Sequence, residues 1–286
     1  MTGLVLGRSG QLARHLHELL PEAAYWGHSE HDLAEPQGLS EAITELQPDW
    51  IVNAAAYTAV DRAESEPDLA WRINVDAVAA AARAAAGLDI PFVHVSTDYV
   101  FDGLRKDAYP MDAPTCPINT YGRTKLAGEL AVETHLNNYW ILRTSWVFSE
   151  HGANFLKTML RLGAERDELR VVADQFGVPT YAGDLARVIA ALIERPAAVS
   201  PGIWHAVGGP AVSWFEFAEA IFAGAVATGC LQALPRIEPI PSSEYPTPAA
   251  RPANSRLASS VELLSQTAGM DWTAGLHTAL TELRKT

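Results

Sequence analysis

Apolar runs and amphipathic segments alternate along the first half of the chain. Short, mainly apolar runs at 4–6, 24–26, 49–53 and 91–95 predict strands that are buried on both faces of a sheet. Between them, leucines at helical spacing and an alanine-rich stretch at 77–86 predict helices. This alternation is typical of α/β proteins, and it predicts a doubly wound parallel sheet.

The first predicted strand runs into a glycine-containing turn with the spacing GxxGxxA. Gly7 permits a tight turn, Gly10 lets backbone N–H groups approach a phosphate at the next helix N-terminus, and Ala13 allows close helix–strand packing. An ordinary βα turn has the same pattern. Its position at the start of an α/β chain nevertheless favours a dinucleotide site.

The second predicted strand ends at Gly27-His28-Ser29. Dinucleotide folds place an acid here for the ribose hydroxyls, or a base for a 2′-phosphate. No carboxylate occurs among these residues to repel a phosphate, which favours NADPH and leaves NADH possible. Asp32 and Leu33 are expected to follow a third short strand and to lie near the adenine, although Asp32 is equally typical of a plain turn.

Two further predicted strands deliver candidate residues to the carboxyl edge of the sheet, where ligands bind in doubly wound folds. The strand at 49–53 leads into residues 54–58, whose small side chains leave room for a ligand or pack under a helix. The strand at 91–95 leads into Thr97 and Asp98. We expect Thr97 to donate a hydrogen bond to a carbonyl oxygen and Asp98 to hold a substrate hydroxyl.

The segment YGRTK at 121–125 carries the strongest candidate chemistry. A helix capped by Asn119 or Thr120 puts Tyr121 and Lys125 one turn apart on the same face. An ammonium about 4 Å from the phenol favours the phenolate by roughly 4 kcal/mol, or about three pKa units, before desolvation. We therefore expect Lys125 to lower the pKa of Tyr121 toward the range of acid–base catalysis. Such a pair also arises by chance.

The second half of the chain predicts further helices and strands. A helix is expected at 183–193, a strand at 203–207, and another helix at Ser213, which has capping-box spacing with Glu216. The stretch 235–252 is rich in proline, so it predicts an extended loop.

Arg251 and Arg256 flank the end of the proline-rich stretch. A guanidinium group matches phosphate oxygens in a bidentate manner, which suits a phosphate-containing ligand. In so acidic a chain, the alternative is that these arginines pair with surface carboxylates.

Composition narrows the function classes. The chain has 286 residues and a formal net charge of -13, which disfavours a nucleic-acid surface. Cys116 and Cys230 have no spacing typical of a disulfide framework or zinc site, so no metal site is expected. No signal peptide or membrane span is indicated, and the sequence predicts a cytoplasmic location.

Seven motifs occur in order: GRSGQLA at 7–13, NAAAYTAVDRAE at 53–64, STDYVF at 96–101, YGRTKLAGE at 121–129, RTSWVF at 143–148, DQFGVPT at 174–180 and YPTPAARPANSRL at 245–257. With these motifs the chain resembles, essentially end to end, the dTDP-4-dehydrorhamnose reductases of the extended short-chain dehydrogenase/reductase superfamily. The resemblance implies a Rossmann-like α/β fold. Residues 1–148 would form the dinucleotide-binding domain and 149–286 a smaller, mainly nucleotide-sugar-binding region, with some segments packed on the first domain.

The resemblance also implies an activity. It is the NAD(P)H-dependent reduction of the 4-keto group of dTDP-4-dehydro-L-rhamnose to dTDP-L-rhamnose, by a monomer or homodimer. The catalytic residues would be Thr97, Tyr121 and Lys125. Cofactor contacts would fall on Gly7, Gly10, Gln11, Leu12, Asp32, Leu33, Ala55, Ala56, Tyr57, Tyr121 and Lys125. Substrate contacts would fall on Thr97, Asp98, Trp146 and Arg251.

One position departs from the family pattern. Some relatives carry a carboxylate just after the glycine turn that helps bind Mg²⁺ at a dimer contact, whereas this chain has Arg14-His15 there. Histidine does not replace a hard oxygen ligand for Mg²⁺. The sequence therefore supports neither Mg²⁺ nor that dimer contact.

Two alternative functions share the scaffold. One is another nucleotide-sugar epimerase, reductase or dehydratase. Dehydratases of the superfamily tend to carry Asp-Glu after the catalytic threonine, and Asp98-Tyr99 disfavours that reaction here. The other is a non-catalytic NADP-binding regulatory subunit of the methionine adenosyltransferase type, which the intact Thr97, Tyr121 and Lys125 disfavour.

Overall fold

A parallel sheet forms the centre of the molecule in the computed structural model, which describes residues 2–265 and 269–285. The strands are β1 (Gly3–Leu6), β2 (Ala24–Trp26), β3 (Trp50–Asn53), β4 (Phe92–Thr97), β5 (Tyr139–Thr144), β6 (Val147–Phe148), β7 (Glu168–Val172), β8 (Phe176–Gly177), β9 (Thr180–Tyr181), β10 (Gly202–His205), β11 (Val212–Ser213) and β12 (Arg236–Ile240). The main sheet has the order β10-β5-β4-β3-β1-β2, and each neighbouring pair is parallel.

Helices connect the strands. They are α1 (Gln11–Leu19), α2 (Leu39–Leu46), α3 (Val60–Ala63), α4 (Pro67–Trp71), α5 (Ala77–Leu88), α6 (Thr120–His135), α7 (Phe155–Glu165), α8 (Ala182–Glu194), α9 (Trp214–Thr228), α10 (Val261–Ser265) and α11 (Trp272–Lys285). A π-helical turn at Arg72–Asp76 separates α4 from α5. Across the described residues, no helix combines the length and the apolar character needed to span a bilayer.

The helices cover both faces of the main sheet. Val5 and Val52 pack with residues of α1 and α8, whereas the adjacent Leu4 and Ile51 pack with residues of α2, α5 and α6. Successive strand residues point to opposite faces, so apolar residues at every position bury both sides. The predicted doubly wound parallel sheet is therefore confirmed.

The path of the chain places a crevice at one edge of this sheet. From β1 the chain crosses to β2 on one side, and it then returns to β3 on the other side of β1. The connections that leave β1 and β3 therefore diverge at their carboxyl ends. In open α/β sheets this switch point is where ligands bind.

The third short strand that was expected before Asp32 is absent. The main chain of 27–35 closes into consecutive turns instead: His31 N donates to Gly27 O at 3.0 Å and Glu35 N donates to Asp32 O at 3.0 Å. These hydrogen bonds occupy backbone groups that a sheet ladder would need. The other strands predicted in this half, and the helix at 77–86, are confirmed.

Three two-stranded sheets and three helices build a further hydrophobic core, separate from those on the two faces of the main sheet. The pairs are β6 with β9, β7 with β12 and β8 with β11. Their apolar core includes Phe148, Leu156, Phe217 and Trp272, which α7, α9 and α11 help to supply. The capping box predicted at Ser213 is confirmed, since its hydroxyl accepts from Glu216 N at 3.1 Å.

The proline-rich stretch 235–252 differs in part from the predicted loop. Its first residues form β12, which pairs with β7 along its full length. Pro239 is tolerated because β12 belongs to a two-stranded sheet and has a free edge. The helix predicted at 183–193 and the strand predicted at 203–207 are observed as α8 and β10, and β10 extends the main sheet beside β5.

Candidate active site

The glycine turn after β1 opens on the crevice. Gly7 has φ of +116°, a conformation that favours glycine. Gly10 precedes α1 with extended backbone, and a Cβ added there would meet nothing within 4 Å. Among the described residues, no side chain caps α1, and its first turn holds no acid. The free N–H groups and positive dipole end of this helix suit a diphosphate.

A cavity of about 610 Å³ runs from this turn to Trp214. Its volume lies within the ordinary range for small-molecule and cofactor sites. Twelve of the residues predicted from the sequence line it: Gly7, Gly10, Gln11, Leu12, Leu33, Ala55, Ala56, Thr97, Asp98, Tyr121, Lys125 and Trp146. The structure thus brings together, on one surface, residues that lie up to 139 positions apart in the chain.

Three predicted residues are not part of the cavity wall: Asp32, Tyr57 and Arg251. Asp32 accepts a hydrogen bond from Ala34 N at 2.9 Å. The Tyr57 hydroxyl donates to Glu66 Oε2 at 2.6 Å. Ligand contacts for these three residues stay predictions.

Arg251 is paired with an acid, the alternative noted for it above. Its Nη2 lies 2.8 Å from Asp61 Oδ2, and its Nη1 also donates to Asp61 Oδ1 at 3.0 Å. This bidentate pair lowers the pKa of Asp61, chiefly through the hydrogen bonds from Arg251. A nucleotide diphosphate at Arg251 would have to compete with that carboxylate.

Gly27-His28-Ser29 carry no acid, as the sequence indicates, but the next residue, Glu30, brings a carboxylate to the end of β2. Glu30 folds back, accepts a hydrogen bond from Gly27 N at 2.8 Å and pairs with Arg8 Nη1. Arg8, Gly27 and His28 line the cavity. This end of the cavity therefore presents a cation that can meet a phosphate and, beside it, an acid that competes for that cation.

Tyr121 and Lys125 stand in the first two turns of α6. Asn119 caps this helix, because its Oδ1 accepts from Gly122 N at 2.7 Å. A Cβ at Gly122 would lie 2.2 Å from Tyr99 O, so glycine lets the helix pack against that backbone. The predicted cap and helix are confirmed, and both side chains line the cavity.

Lys125 is almost completely buried, with 1% of its surface exposed. Its Nζ donates to Val95 O at 2.7 Å and lies 3.4 Å from His94 Nε2. Burial lowers the pKa of Lys125 to about 8, while Glu129 acts in the opposite direction. At neutral pH the ammonium is mostly charged, as the sequence predicts, and the strand backbone fixes its position.

The expected effect of Lys125 on Tyr121 was wrong. Burial raises the pKa of Tyr121 well above its usual range, the Thr97 hydroxyl opposes this shift, and Asp98 adds to it. Desolvation of the buried phenol is therefore the largest cause of the shift, and Lys125 is not among the groups that change it. At neutral pH the Tyr121 side chain is a protonated phenol, which is the form that donates a proton.

Thr97 is the last residue of β4, and Asp98 follows it directly. The Thr97 hydroxyl donates to Asp98 Oδ1 at 2.9 Å and accepts from Tyr99 N at 3.2 Å. Burial raises the pKa of Asp98 to about 6. Tyr99 packs edge-on against the Tyr121 ring with a centroid distance of 5.5 Å. The threonine, the acid and the phenol thus share one buried corner of the cavity.

A buried ion pair supports this corner, and sequence reasoning missed it. Arg143 Nη2 lies 2.7 Å from Glu129 Oε2, and the Ser96 hydroxyl donates to the same carboxylate. The pair ties α6 to β4 and β5. Glu129 lies two helical turns after Tyr121, on the same side of α6, and that spacing is the signal that could have identified it.

Asn74 supports the wall formed by Ala55 and Ala56. Its Oδ1 accepts from Tyr57 N at 2.9 Å, and its Nδ2 donates to Tyr57 O and to Thr124 Oγ1. Asn74 lies in the π-helical turn, a rare geometry that is frequent at functional sites. No sequence pattern predicts a π-helical turn here, so this contact was also missed.

Two tryptophans close the far end of the cavity. Trp146 stacks on Trp214 with a centroid distance of 3.4 Å and an interplanar angle of 6°. Trp146 has φ of +48°, which is uncommon for a residue with a bulky side chain. Trp214 was not predicted, because it lies on α9, far from every motif of the dinucleotide half.

Comparison with known proteins identifies the family of the chain. The family model of the RmlD substrate binding domain matches residues 1–285. The dTDP-4-dehydrorhamnose reductase of Burkholderia thailandensis is 45% identical over 284 residues, which cover 94% of each protein. That of Escherichia coli is 42% identical, covering 99% of this chain and 98% of the relative. The crystal structure of dTDP-4-dehydrorhamnose reductase from Bacillus anthracis in complex with NADP is 37% identical, with a TM-score of 0.90 and coverage of 98% of this chain and 99% of that one. The chain therefore belongs to the RmlD substrate binding domain family, with these dTDP-4-dehydrorhamnose reductases as relatives.

Proposed function

We propose that the protein reduces the 4-keto group of dTDP-4-dehydro-L-rhamnose with NADPH to give dTDP-L-rhamnose. One observation carries the proposal: Thr97, Tyr121 and Lys125 line the same cavity as the glycine turn. The near-full-length similarity to dTDP-4-dehydrorhamnose reductases supports the choice of substrate.

The cavity suits a nicotinamide dinucleotide. Gly7, Gly10, Gln11 and Leu12 would hold the pyrophosphate at the open N-terminus of α1. Leu33 would contact the adenosine half, and Ala55 and Ala56 the nicotinamide half; Asp32 and Tyr57 are retained only as predicted contacts. The bound nicotinamide supplies a hydride, which is the chemistry that the protein side chains lack.

The protein residues supply the proton and position the ketone. After exchange of its Asp98 partner, Thr97 donates a hydrogen bond to the carbonyl oxygen and polarises it. Tyr121 then gives its phenolic proton to the developing alkoxide, because its raised pKa keeps it protonated at neutral pH. Lys125 stabilises the phenolate that remains and orients the ribose. Its own position is set by the hydrogen bond to Val95 O.

The sugar nucleotide would extend from this corner toward Trp146. Asp98 would accept a hydrogen bond from a sugar hydroxyl, and Trp146 would cover the deoxysugar face. Arg251 would lie near the diphosphate after exchange of its Asp61 partner. We also propose that residues 1–148 mainly hold the dinucleotide and 149–286 the sugar nucleotide, in a cytoplasmic monomer or homodimer.

The direct test supplies dTDP-4-dehydro-L-rhamnose with NADPH or NADH and follows nicotinamide absorbance. We expect stoichiometric consumption of the reduced cofactor and formation of dTDP-L-rhamnose. An epimerase recycles its cofactor, so conversion of the 4-keto sugar to an isomer without net consumption of NADPH would replace the reductase assignment. Tight NADPH binding without turnover of this or related 4-keto sugars would instead favour a non-catalytic regulatory subunit.

A further inference from the structure

Two histidines and a glutamate meet where α1 faces the loop after β6, and none of the three lines the cavity. His15 lies on α1, whereas Glu150 and His151 lie on the loop that follows β6. One ligand atom from each residue lies within 4.8 Å of the other two. His15 Nε2 is 3.7 Å from Glu150 Oε2, and Glu150 Oε1 is 3.9 Å from His151 Nε2.

These contacts do not satisfy His15. Only 6% of the residue is exposed, and its Nε2 is buried without a hydrogen-bond partner among the described residues. A polar atom left unpaired in the interior is costly, and each such case in a folded protein needs an explanation. The Nε2 atom faces Glu150 at a distance too long for a hydrogen bond and suitable for a shared ion.

The donor set indicates the class of ion. Imidazole nitrogens suit Zn²⁺ and similar transition metals, whereas Mg²⁺ and Ca²⁺ take oxygen ligands. Bonds of about 2.0–2.1 Å in a tetrahedral site put ligand atoms roughly 3.3 Å apart. The three ligand atoms lie within 4.8 Å of one another, so each pair needs to close by at most about 1.5 Å. Three protein ligands leave the fourth position for water.

The surroundings provide outer-shell partners. The Tyr181 hydroxyl donates to Glu150 at 3.2 Å, and Glu18 Oε2 lies 4.0 Å from His15 Nδ1. Carboxylates and hydroxyls in such places orient metal ligands. Arg187, a cation whose charge acts on His15, is paired with Asp184.

We propose that His15, Glu150 and His151 bind one divalent transition-metal ion of the Zn²⁺ class within a single chain. The ion would join α1 to the loop whose Gly152 and Ala153 line the cavity. The site differs in ligands, in metal class and in its place within one chain from the Mg²⁺ contact of some relatives.

The test titrates Zn²⁺ into the full-length, tag-free, metal-stripped protein by calorimetry. We expect one Zn²⁺ per chain, and an excess of Mg²⁺ should not compete. His151→Ala and His15→Gln should each weaken binding more than about tenfold, since loss of outer-shell partners alone costs 10- to 100-fold. The matched control is His277→Ala on α11, an exposed histidine that is not part of the cluster, which should bind like the wild type.

Two results would overturn the proposal. One is equal Zn²⁺ affinity in His151→Ala and His277→Ala, which would assign any binding to adventitious sites. The other is a wild-type stoichiometry well below one ion per chain. His151 carries the decisive comparison because its side chain is 24% exposed, so its loss should not affect folding even if the buried His15→Gln variant misfolds.

Discussion

The two ends of the cavity are built in different ways. At the catalytic end, Lys125 and Thr97 are buried on α6 and β4, and neighbouring backbone holds them by hydrogen bonds. The other end is the one lined by Arg8, Gly27 and His28, and we call it the adenosine end after the half of the cofactor that it is proposed to hold. There Arg8 and Glu30 form an ion pair, and their side chains are 60% and 29% exposed. Regular elements fix the first group, whereas an ion pair near solvent and a hydrogen bond from the Gly27 backbone arrange the second.

This difference predicts different roles for charge. At the buried catalytic end, desolvation raises the pKa of Tyr121 and lowers the pKa of Lys125. The charge states of these two residues therefore bear directly on the proposed proton transfer. Near the surface, water and salt screen the Arg8–Glu30 pair, so it contributes little to stability. We therefore expect substitutions at the catalytic end to abolish turnover and those at the adenosine end to alter cofactor preference.

The largest effect is expected for Tyr121→Phe. The ring and its edge contact with Tyr99 remain, so the variant should fold and bind NADPH. Without the phenolic proton the alkoxide has no donor, and kcat should fall by about 10²- to 10⁴-fold. Turnover of dTDP-4-dehydro-L-rhamnose and NADPH titration measure the two properties separately.

Tyr139→Phe is the matched control, since Tyr139 lies at the start of β5 and its hydroxyl donates to Glu133 Oε1 at 3.3 Å. Its kcat should equal that of the wild type. Near-normal turnover by Tyr121→Phe would show that Tyr121 is not the proton donor. It would also contradict the expectation that substitutions at the catalytic end affect turnover most.

Lys125→Met should change how stability depends on pH. The folded pKa of Lys125 is about 8, below the usual 10.5, so the folded state binds fewer protons between these values and gains stability as pH rises. The variant lacks this gain. Between pH 7 and pH 9.5 the wild type should therefore gain roughly 2 kcal/mol in unfolding free energy relative to Lys125→Met.

Denaturant unfolding at several pH values measures this difference. The control is Lys106→Met, at an exposed lysine, whose curve should follow the wild type at every pH. A constant difference between the wild type and Lys125→Met would mean that the buried ammonium is not destabilised by desolvation.

The same contrast explains what the sequence could predict. Tyr121, Lys125 and Thr97 lie on a helix and a strand whose periodicity is visible, so their convergence follows from the order of the parallel strands. The pKa shifts of Tyr121 and Lys125 could not be predicted from the sequence, because desolvation depends on atoms from many segments of the chain. Glu30 folds back through turns, and His15 meets Glu150 from 135 positions away, so no local pattern reveals either contact.

Glu30→Gln should alter the adenosine end alone. The substitution removes the carboxylate that pairs with Arg8 and leaves that guanidinium free for a 2′-phosphate. The ratio of kcat/KM for NADPH over NADH should rise roughly threefold to fivefold, and less at high salt. Glu35→Gln makes the same charge change at an exposed residue nearby and should leave the ratio unchanged. A lower ratio in Glu30→Gln would mean that Glu30 assists the phosphate.

The smallest effect is expected for Asp32→Asn. Asp32 does not line the cavity, and an asparagine oxygen can still accept the hydrogen bond from Ala34 N. The KM for NADPH should change less than about twofold, as for other exposed polar substitutions. Leu33→Ala is the matched comparison, because the neighbouring Leu33 does line the cavity and its truncation should raise the same KM. A tenfold increase in Asp32→Asn alone would restore the adenosine contact predicted by resemblance and would require the turn at 27–35 to rearrange when the cofactor binds.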